Sequence, residues 1–453
     1  MNYEDSVRSL LALGRELAAP QQARVQKFGL ENISALAADL GNPHRAIPCA
    51  HIAGTNGKGS TAAILESILR SAGLRTGIYT SPHLERINER IRLNGEPVSD
   101  DAFSEAWTRV HASIESLMAS GKLAAHPTYF ECVTAMAFLI FAERQIDFAV
   151  YEVGLGGRLD STNIVTPQVA IITPIDFDHE NFLGHSIAEI AAEKAGIIKP
   201  TVTVVSSVLR PEARTVVARK CAEMRARFVD VNEEWRLEEK PPAAGFYRAV
   251  ATSKDSRAKL IIAPALPGRF QLQNALAAAT AARVLSENGD FRVDDKTIER
   301  GIANVRWPGR LERLSENPAI YFDGAHNPAG ARELLKFWQD NFAGRRIVLV
   351  YGAMRDKAVD EIAGVLFPHA HEVILTEPQQ PRAISAALLS EMTAHLTSHP
   401  TVIPNSVEAF DRAIEIAREG DAVFVTGSLY LIGELRALCH DRKHASARPQ
   451  FLI

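Results

Sequence analysis

Hydrophobic positions along this chain come in short unbroken runs, separated by longer stretches of helical rhythm. AHIAG (50–54), FAVYEVG (148–154), QVAIITP (168–174) and TVTVVSS (201–207) lack polar alternation, the pattern of strands buried on both faces of a parallel sheet. Between them, STAAILESILRSAG (60–73) and YFECVTAMAFLIFAE (129–143) have the length and composition of helices, the first ending at Gly73 as a C-cap. From about 230 to 268 the texture changes to Pro, Gly and short alternating stretches, which predicts a few antiparallel strands. QLQNALAAATAARVLSENG (271–289) returns to a helix, and RWPGRLERL (306–314) reads as a connection between domains.

After that connection the rhythm restarts with AIYFDGA, RIVLVYGAM, HEVILTE, TVIPN and DAVFVTGS, each followed by a helical segment, the last from about 428. The pattern predicts an α/β protein of two domains. Residues 1–305 form an N-terminal parallel-sheet domain of the phosphate-loop type, and 306–453 a smaller C-terminal Rossmann-like α/β domain. A chain of 453 residues exceeds what one compact core usually spans, which supports the division. No internal repeat is visible, and low complexity is confined to the polar tail DRKHASARP (441–449).

Composition narrows the partners. With 46% apolar and 23% charged residues this is an ordinary soluble globular chain, and a formal charge of -4 offers no bulk attraction for nucleic acid or an anionic membrane. Small molecules are the expected partners. Cys49, Cys132, Cys221 and Cys439 are widely scattered with no C-x-x-C pair, so reduced structural thiols in a cytoplasmic protein are expected. The N-terminal MNYEDSVRSLLALGREL carries acids early and lacks the basic-then-apolar order of a signal peptide. No apolar run approaches the roughly 20 residues that span a bilayer.

The candidate chemistry begins at HIAGTNGKGST (51–61). An ordinary phosphate loop reads G-x-x-x-x-G-K-S/T, with the hydroxyl directly after the lysine. Here Gly59 intervenes between Lys58 and Ser60. The context is nevertheless strand, loop and helix, with Ser60 expected to open the helix, and N–H groups at a helix N-terminus bind anions. Lys58 adds positive charge and the Ser60 hydroxyl can reach a bound Mg²⁺. A glycine-rich turn without a ligand needs neither.

This loop resembles that of the Mur ligase superfamily, and the inserted Gly59 matches its folate branch, folylpolyglutamate synthase and dihydrofolate synthase. Other branches place a threonine directly after the lysine. The resemblance continues through TSPHLERINERI (80–91), EVGLGGRLDSTN (152–163), DHENFLG (178–184), EKAGI (193–197), GRFQLQNALAA (268–278), WPGRLE (307–312) and DGAHNP (323–328). Beyond residue 328 it rests mainly on the strand–helix rhythm. It implies an ATP-dependent ligase that joins L-glutamate to dihydropteroate, to a reduced folate, or to both, through an acyl phosphate. ATP is then held by Thr55, Asn56, Gly57, Lys58, Gly59, Ser60 and Thr61, with Asn274, Arg310, Asp323 and His326. Mg²⁺, two ions in the expectation, is held by Ser60, Glu152, His179 and a carbamylated Lys194. The regions that hold the pterin or its benzoate end correspond to Ser81, Pro82, Arg90, Thr128, Phe130, Leu159, Asp160 and Ser161. Lys58, Lys194 and His326 are the candidate catalytic residues. QKFGLENISALAADLG (26–41) resembles the piece that contacts dihydropteroate in bifunctional members, so both activities and a monomeric state are expected.

On local grounds alone these residues have plainer readings beside the functional ones. Glu152 and His179 follow the carboxyl ends of strands, where ligands bind in open α/β sheets. Glu152 can equally cap the next glycine turn, and a histidine is an unusual partner for Mg²⁺, which prefers oxygen. Lys194 shares a helical face with Ile187, Ile190 and Ala191. It either snorkels to water or is buried with a lowered pKa, which a carbamate needs. Asp323 and His326 can be a polar turn, with Asn327 as N-cap and Pro328 at N1. Arg310 can be a surface ion-pair residue, and Phe130 core rather than a stacking platform.

Two rivals remain in the sequence. A cell-wall ligase of the same superfamily carries a separate UDP-binding domain, for which the roughly 50 residues before the loop are few. A nucleotide-dependent switch without ligase chemistry has no need of the DSTN, EKAGI and DGAHNP motifs together.

Overall fold

The computed structural model describes residues 1–14, 29–123, 125–255, 258–289, 291–397 and 399–446. Gln26, Lys27 and Phe28 of the segment 26–41, and 447–449 of the polar tail, lie outside the described residues. Strands β1 (Cys49–Ala53), β2 (Thr76–Tyr79), β3 (Ile91–Leu93), β4 (Glu96–Pro97), β5 (Phe148–Glu152), β6 (Val169–Ile172), β7 (Thr203–Ser206) and β8 (Phe228–Asp230) form one sheet, ordered β4-β3-β2-β5-β1-β6-β7-β8. The four apolar runs expected as strands are β1, β5, β6 and β7, paired in parallel with one another. All five residues of β1 are buried, as its position between β5 and β6 requires. The chain builds one side of the sheet from β1 and later returns to build the other. The carboxyl end of β1 therefore lies at a topological switch point, where such sheets bind ligands.

The helix Lys58–Ser71 leaves that end and packs against the helices Phe270–Glu287 and Asp295–Asn304. The second contact depends on a missing side chain: a Cβ on Gly301 would lie 2.4 Å from the Ile68 Cα. Ser67 Oγ instead donates to the Gly301 carbonyl at 2.8 Å, which fixes the helix that carries the loop. The helix Tyr129–Glu143 is apolar nearly all round and correspondingly buried, and its start is set by a reciprocal capping box between Thr128 and Glu131.

The expected antiparallel stretch is a three-stranded sheet of β9 (Trp235–Ala243), β10 (Phe246–Ser253) and β11 (Lys259–Ile262). A second main sheet follows, with β12 (Glu312–Glu316), β13 (Ala319–Phe322), β14 (Ile347–Tyr351), β15 (Glu372–Glu377), β16 (Thr401–Asn405) and β17 (Ala422–Thr426), ordered β12-β13-β17-β14-β15-β16. Its centre is aromatic: Tyr321 of β13 stacks on Phe424 of β17 with centroids 5.2 Å apart and planes 13° apart. One expectation changes here. The stretch read as a connection becomes, from Glu312 onward, an edge strand antiparallel to β13. Its charged sequence ERLSE suits an edge that faces water on one side. Among the described residues, no helix is long and apolar enough to cross a membrane.

His51 sits fully buried in β1 with its Nε2 2.8 Å from Thr162 Oγ1, and burial lowers its pKa to about 3. Below its ordinary value near 6.5, the unfolded chain takes up a proton that the native imidazole refuses. Stability is therefore lost as pH falls from about 6.5 toward 3, at up to about 1.4 kcal/mol per pH unit. Denaturant unfolding of wild type and His51→Asn across this range should show the wild type losing stability relative to the variant at about that slope. Parallel curves would remove His51 as a source of acid sensitivity.

Candidate active site in the cleft between the two sheets

The loop after β1 is held before it meets any ligand. The Thr55 and Asn56 amides both donate to the Pro174 carbonyl, at 2.9 and 3.3 Å, and Thr55 Oγ1 donates to the Asp176 carbonyl at 2.9 Å. The phosphate loop and the loop after β6 thus form one unit. Gly57 turns the chain at φ 83°, a left-handed conformation that favours glycine, and the helix begins at Lys58, two residues earlier than expected. Lys58 and Gly59 therefore lie in the first helical turn, where N–H groups are free to face an anion. A Cβ on Gly59 would meet Trp307 Nε1 at 3.1 Å and Glu152 Oε2 at 3.4 Å. The insertion that distinguishes this loop is the residue lying beneath those two side chains.

Two lysines converge behind the loop. Lys58 Nζ donates to the carbonyls of Gly54 and Thr55, both at 3.1 Å, and Lys194 Nζ donates to the same Gly54 carbonyl at 2.9 Å. Lys194 does not reach water; it is 4% exposed, and its neighbours Ile187, Ile190 and Ala191 are buried with it. Burial, then the nearby Lys58 charge, lowers its pKa to about 7, while burial also lowers that of Lys58. Glu152 is buried at the end of β5, where Ser81 N–H donates to its Oε2 at 3.2 Å and desolvation raises its pKa. Ser60 Oγ accepts from Gln271 Nε2 at 3.4 Å, and Asn274 Nδ2 donates to Gln271 Oε1 at 2.9 Å. One chain of polar groups therefore joins the loop to the helix Phe270–Glu287.

The second domain supplies the opposite wall. Asp323 follows β13, and its two oxygens accept from the amides of Leu311 and Ala325, both at 2.9 Å. Burial raises its pKa and lowers that of Arg310, whose Nη1 donates to the Gly309 carbonyl at 3.0 Å. His326 Nδ1–H donates to the Gly324 carbonyl at 2.7 Å, which leaves Nε2 as the free acceptor. Burial, then Lys357, lowers the His326 pKa to about 4, so the ring is neutral near pH 7. Asn327 caps the helix Pro328–Asn341 by accepting from Gly330 N at 2.8 Å, with Pro328 at N1. The turn reading of DGAHNP is thus visible, in a segment whose Asp323 and His326 line the cleft.

His179, in the left-handed region at φ 52°, faces both domains. Lys357 Nζ lies 3.2 Å from its Nε2, and its Nδ1 is buried with no hydrogen-bond partner among the described residues. Burial, then Lys357, lowers its pKa to about 4. No three His, Cys, Asp or Glu side chains among the described residues gather as a ready-made metal cluster. A cation here needs the Ser60 hydroxyl and oxygens from a ligand in addition.

A cleft of about 2480 Å³ gathers these groups together with Ser81, Pro82, Thr128, Phe130, Leu159, Asp160 and Ser161. Two of the expected residues do not line it. Thr61 is fully buried in the helix behind the loop, and Arg90, 1% exposed, donates from Nε to His83 Nδ1 at 2.9 Å. Asp160 lines the cleft, yet its Oδ2 accepts from the Gly154 and Leu155 amides at 3.0 Å and its Oδ1 from Thr162. It shapes the turn after β5 with both oxygens. Phe130 packs its edge over Gly154, where a Cβ would lie 2.5 Å from its Cζ, and leaves the rest of its ring half-buried at the cleft.

Sequence reading passed over Asp178, Lys357 and Gln271. Asp178 stands beside His179 in a motif quoted for its histidine, and Lys357 follows β14 at the same carboxyl edge that marks Asp323 after β13. Applying the strand-end rule to every strand of the second domain would have found the lysine.

Known proteins resemble this chain along nearly its whole length. The Mur ligase middle domain matches residues 52–282, and the Mur ligase glutamate ligase domain matches 309–429. A Bacillus subtilis dihydrofolate synthase/folylpolyglutamate synthase is 37% identical over 90% of this chain and 94% of its own length. The Mycobacterium tuberculosis folylpolyglutamate synthase, solved with ADP and AMPPCP, superimposes with a TM-score of 0.85 at 32% identity, covering 96% of this chain and 99% of that one. The Escherichia coli FolC structure with DHPP and ADP gives 0.84 at 29% identity, covering 98% and 99%. The chain belongs to the Mur ligase family. Within it, its place is among the dihydrofolate synthases and folylpolyglutamate synthases.

Replacing Gly59 by threonine, which restores the ordinary spacing of hydroxyl and lysine, should crowd Trp307 and Glu152. We expect the affinity for a non-hydrolysable ATP analogue, measured by calorimetry, to fall about tenfold or more, in line with the 1–3 kcal/mol that overpacking costs. Unchanged affinity would show that the space above Gly59 is not needed.

Proposed function

We propose that this chain is an ATP-dependent carboxylate–amine ligase that adds L-glutamate to dihydropteroate and to reduced folates. The observation that carries the reading is the meeting, in one cleft, of the Lys58 loop with Arg310, Asp323 and His326 from the second domain. Full-length likeness to enzymes of both names supports it. Residues 1–305 then serve as the ATP- and folate-binding part and 306–453 as the ligase part, in a monomer working in the cytoplasm.

The chemistry must turn a carboxylate into an electrophile. A substrate carboxylate oxygen bonds to the γ-phosphorus of ATP, the bond from that phosphorus to the bridging oxygen breaks, and ADP leaves. The amine of glutamate then attacks the acyl carbon, phosphate departs with the bonding pair, and an amide remains after the nitrogen loses a proton. Lys58 and Arg310 offer positive charge on opposite walls, and the amides of the first helical turn face the phosphates. Neutral His326 presents Nε2 as an acceptor that orients the incoming amine. A pKa of about 4 makes it a weak base, so its role is placement.

Mg²⁺ fits the donor set. Ser60 and Glu152 are hard oxygen donors, and the orphaned, buried Nδ1 of His179 accepts a cation. A carbamate on Lys194 completes the set. The neutral amine bonds to the carbon of CO₂ and releases a proton, and burial of Lys194 keeps a large neutral fraction available. When bound, the metal offsets the charge of the two anionic reactants and the transferring phosphoryl group. Asn274, Asp323 and Arg310 are read as nucleotide contacts, with Ser81, Pro82, Thr128, Phe130, Leu159 and Ser161 on the folate side. Asp160 acts there through the backbone amides it holds, and Arg90 through the His83 ring.

ADP release by the purified protein with Mg²⁺-ATP and L-glutamate should rise on adding dihydropteroate and, separately, tetrahydrofolate. Stimulation by one alone names a single activity, and stimulation by neither sinks the folate reading. Lys194→Ala should lower the glutamate-dependent rate by about tenfold or more, with part restored by added acetate. Normal activity without acetate would remove the carbamate.

A further inference from the structure

We propose that Asp178 is a positioning residue that sets the register of the second domain on the phosphate loop. The idea rests on the ligase reading for its consequence in catalysis, though not for its geometry. Asp178 lies in the loop after β6, four residues beyond the Pro174 carbonyl that fixes Thr55 and Asn56. Its carboxylate is therefore attached to the phosphate loop through a short, hydrogen-bonded path. Its Oδ1 accepts from Lys357 Nζ at 2.9 Å, and its Oδ2 from Asn327 Nδ2 at 3.2 Å. Lys357 follows β14 and Asn327 follows β13, two strands that flank β17 in the second sheet. One contact between two bodies fixes a distance; two contacts to separate segments also fix an orientation.

The same Asn327 donates to Asn56 Oδ1 at 2.9 Å, and Asn56 donates back to its Oδ1 at 3.3 Å. This amide pair ties the phosphate loop to the cap of the helix Pro328–Asn341. His326 lies one residue before that cap, with Nε2 3.8 Å from Asp178 Oδ2. Fixing Asn327 therefore fixes His326 with respect to Lys58.

The energetics favour registry over stability as the purpose. The side chains of Asp178 and Lys357 are 11% and 9% exposed, so forming their ion pair costs desolvation of both charges. Such pairs contribute little net stability, whereas removing one partner leaves the other charge buried and alone. A second tie, from Arg332 to Asp176 at 3.2 Å, lies nearer the rim, with the Arg332 side chain 51% exposed. That contact is screened and worth little by comparison. The aspartate that decides the alignment is the buried one.

The test uses the full chain with Asp178→Asn, Lys357→Met and the double variant. Asparagine keeps the shape and removes the charge, and Lys357→Met breaks the same contact from the other domain should Asp178→Asn fold poorly. We expect an ATP analogue to bind with affinity within about threefold of wild type, while kcat for glutamate addition falls about 100-fold, the order a small misplacement of reacting groups costs. The double variant should be no slower than the worse single one, because both remove one contact. Hydrogen exchange without substrates should quicken at 324–330 and 354–358 in each variant. Unaltered exchange at both segments, additive effects on kcat, or loss of nucleotide binding in step with kcat would each overturn the proposal. A wild-type protein with no glutamate-dependent ADP release would refute the ligase reading instead, and the exchange result would still decide the role of Asp178.

Discussion

The carbonyl of Gly54 accepts hydrogen bonds from two buried ammonium groups, those of Lys58 and Lys194. Much of the site can be understood from that crowding. Two lysine amines behind a loop whose amides already face outward make a hole that draws phosphate. Burial lowers the affinity of each lysine for its own proton, and at Lys194 the Lys58 charge adds to the effect. The carboxylates that line the hole pull the other way. Glu152 lies close enough to favour the Lys58 charge, and Asp178 stays ionised because the Lys357 charge beside it overcomes the effect of its burial. Charge of one sign is thus brought to the loop and charge of the other held around it.

Holding such an arrangement requires a rigid support, and most of the first domain can be seen as that support. β1 is buried on both faces, the helix Lys58–Ser71 is pressed against Gly301, and the loop after β6 is bonded to the loop after β1. The second domain is less a lid than a second set of coordinates. Its strand ends after β13 and β14 reach the same few ångströms as the strand ends of the first sheet, so chemistry is assembled from segments more than 250 residues apart in the chain, such as Asn56 and Asn327.

The long parallel strands, the antiparallel insert and the restart of the rhythm near 319 were legible because each is long or apolar enough to carry its own period. β2, β3, β4 and β8 were not, since runs of two to four residues carry no period and are decided by their neighbours in the sheet. β12 was hidden for another reason: ERLSE is polar and becomes a strand only because β13 offers it an edge. At the site, the loop residues and Glu152 could be read from strand ends and glycine spacing. Lys194 could be placed on an apolar face, but its burial depends on the loop that closes over it. Asp178 and Lys357 acquire meaning only as a pair, and nothing local links residues 178 and 357.

The bare backbone at Gly59 has one more consequence. Trp307, in the linker between the domains, and Glu152, at the end of β5, share the small space above it. Any side chain added there would have to displace the indole, the carboxylate or both. The linker and the end of β5 are thus brought against the loop by a position that has no side chain of its own.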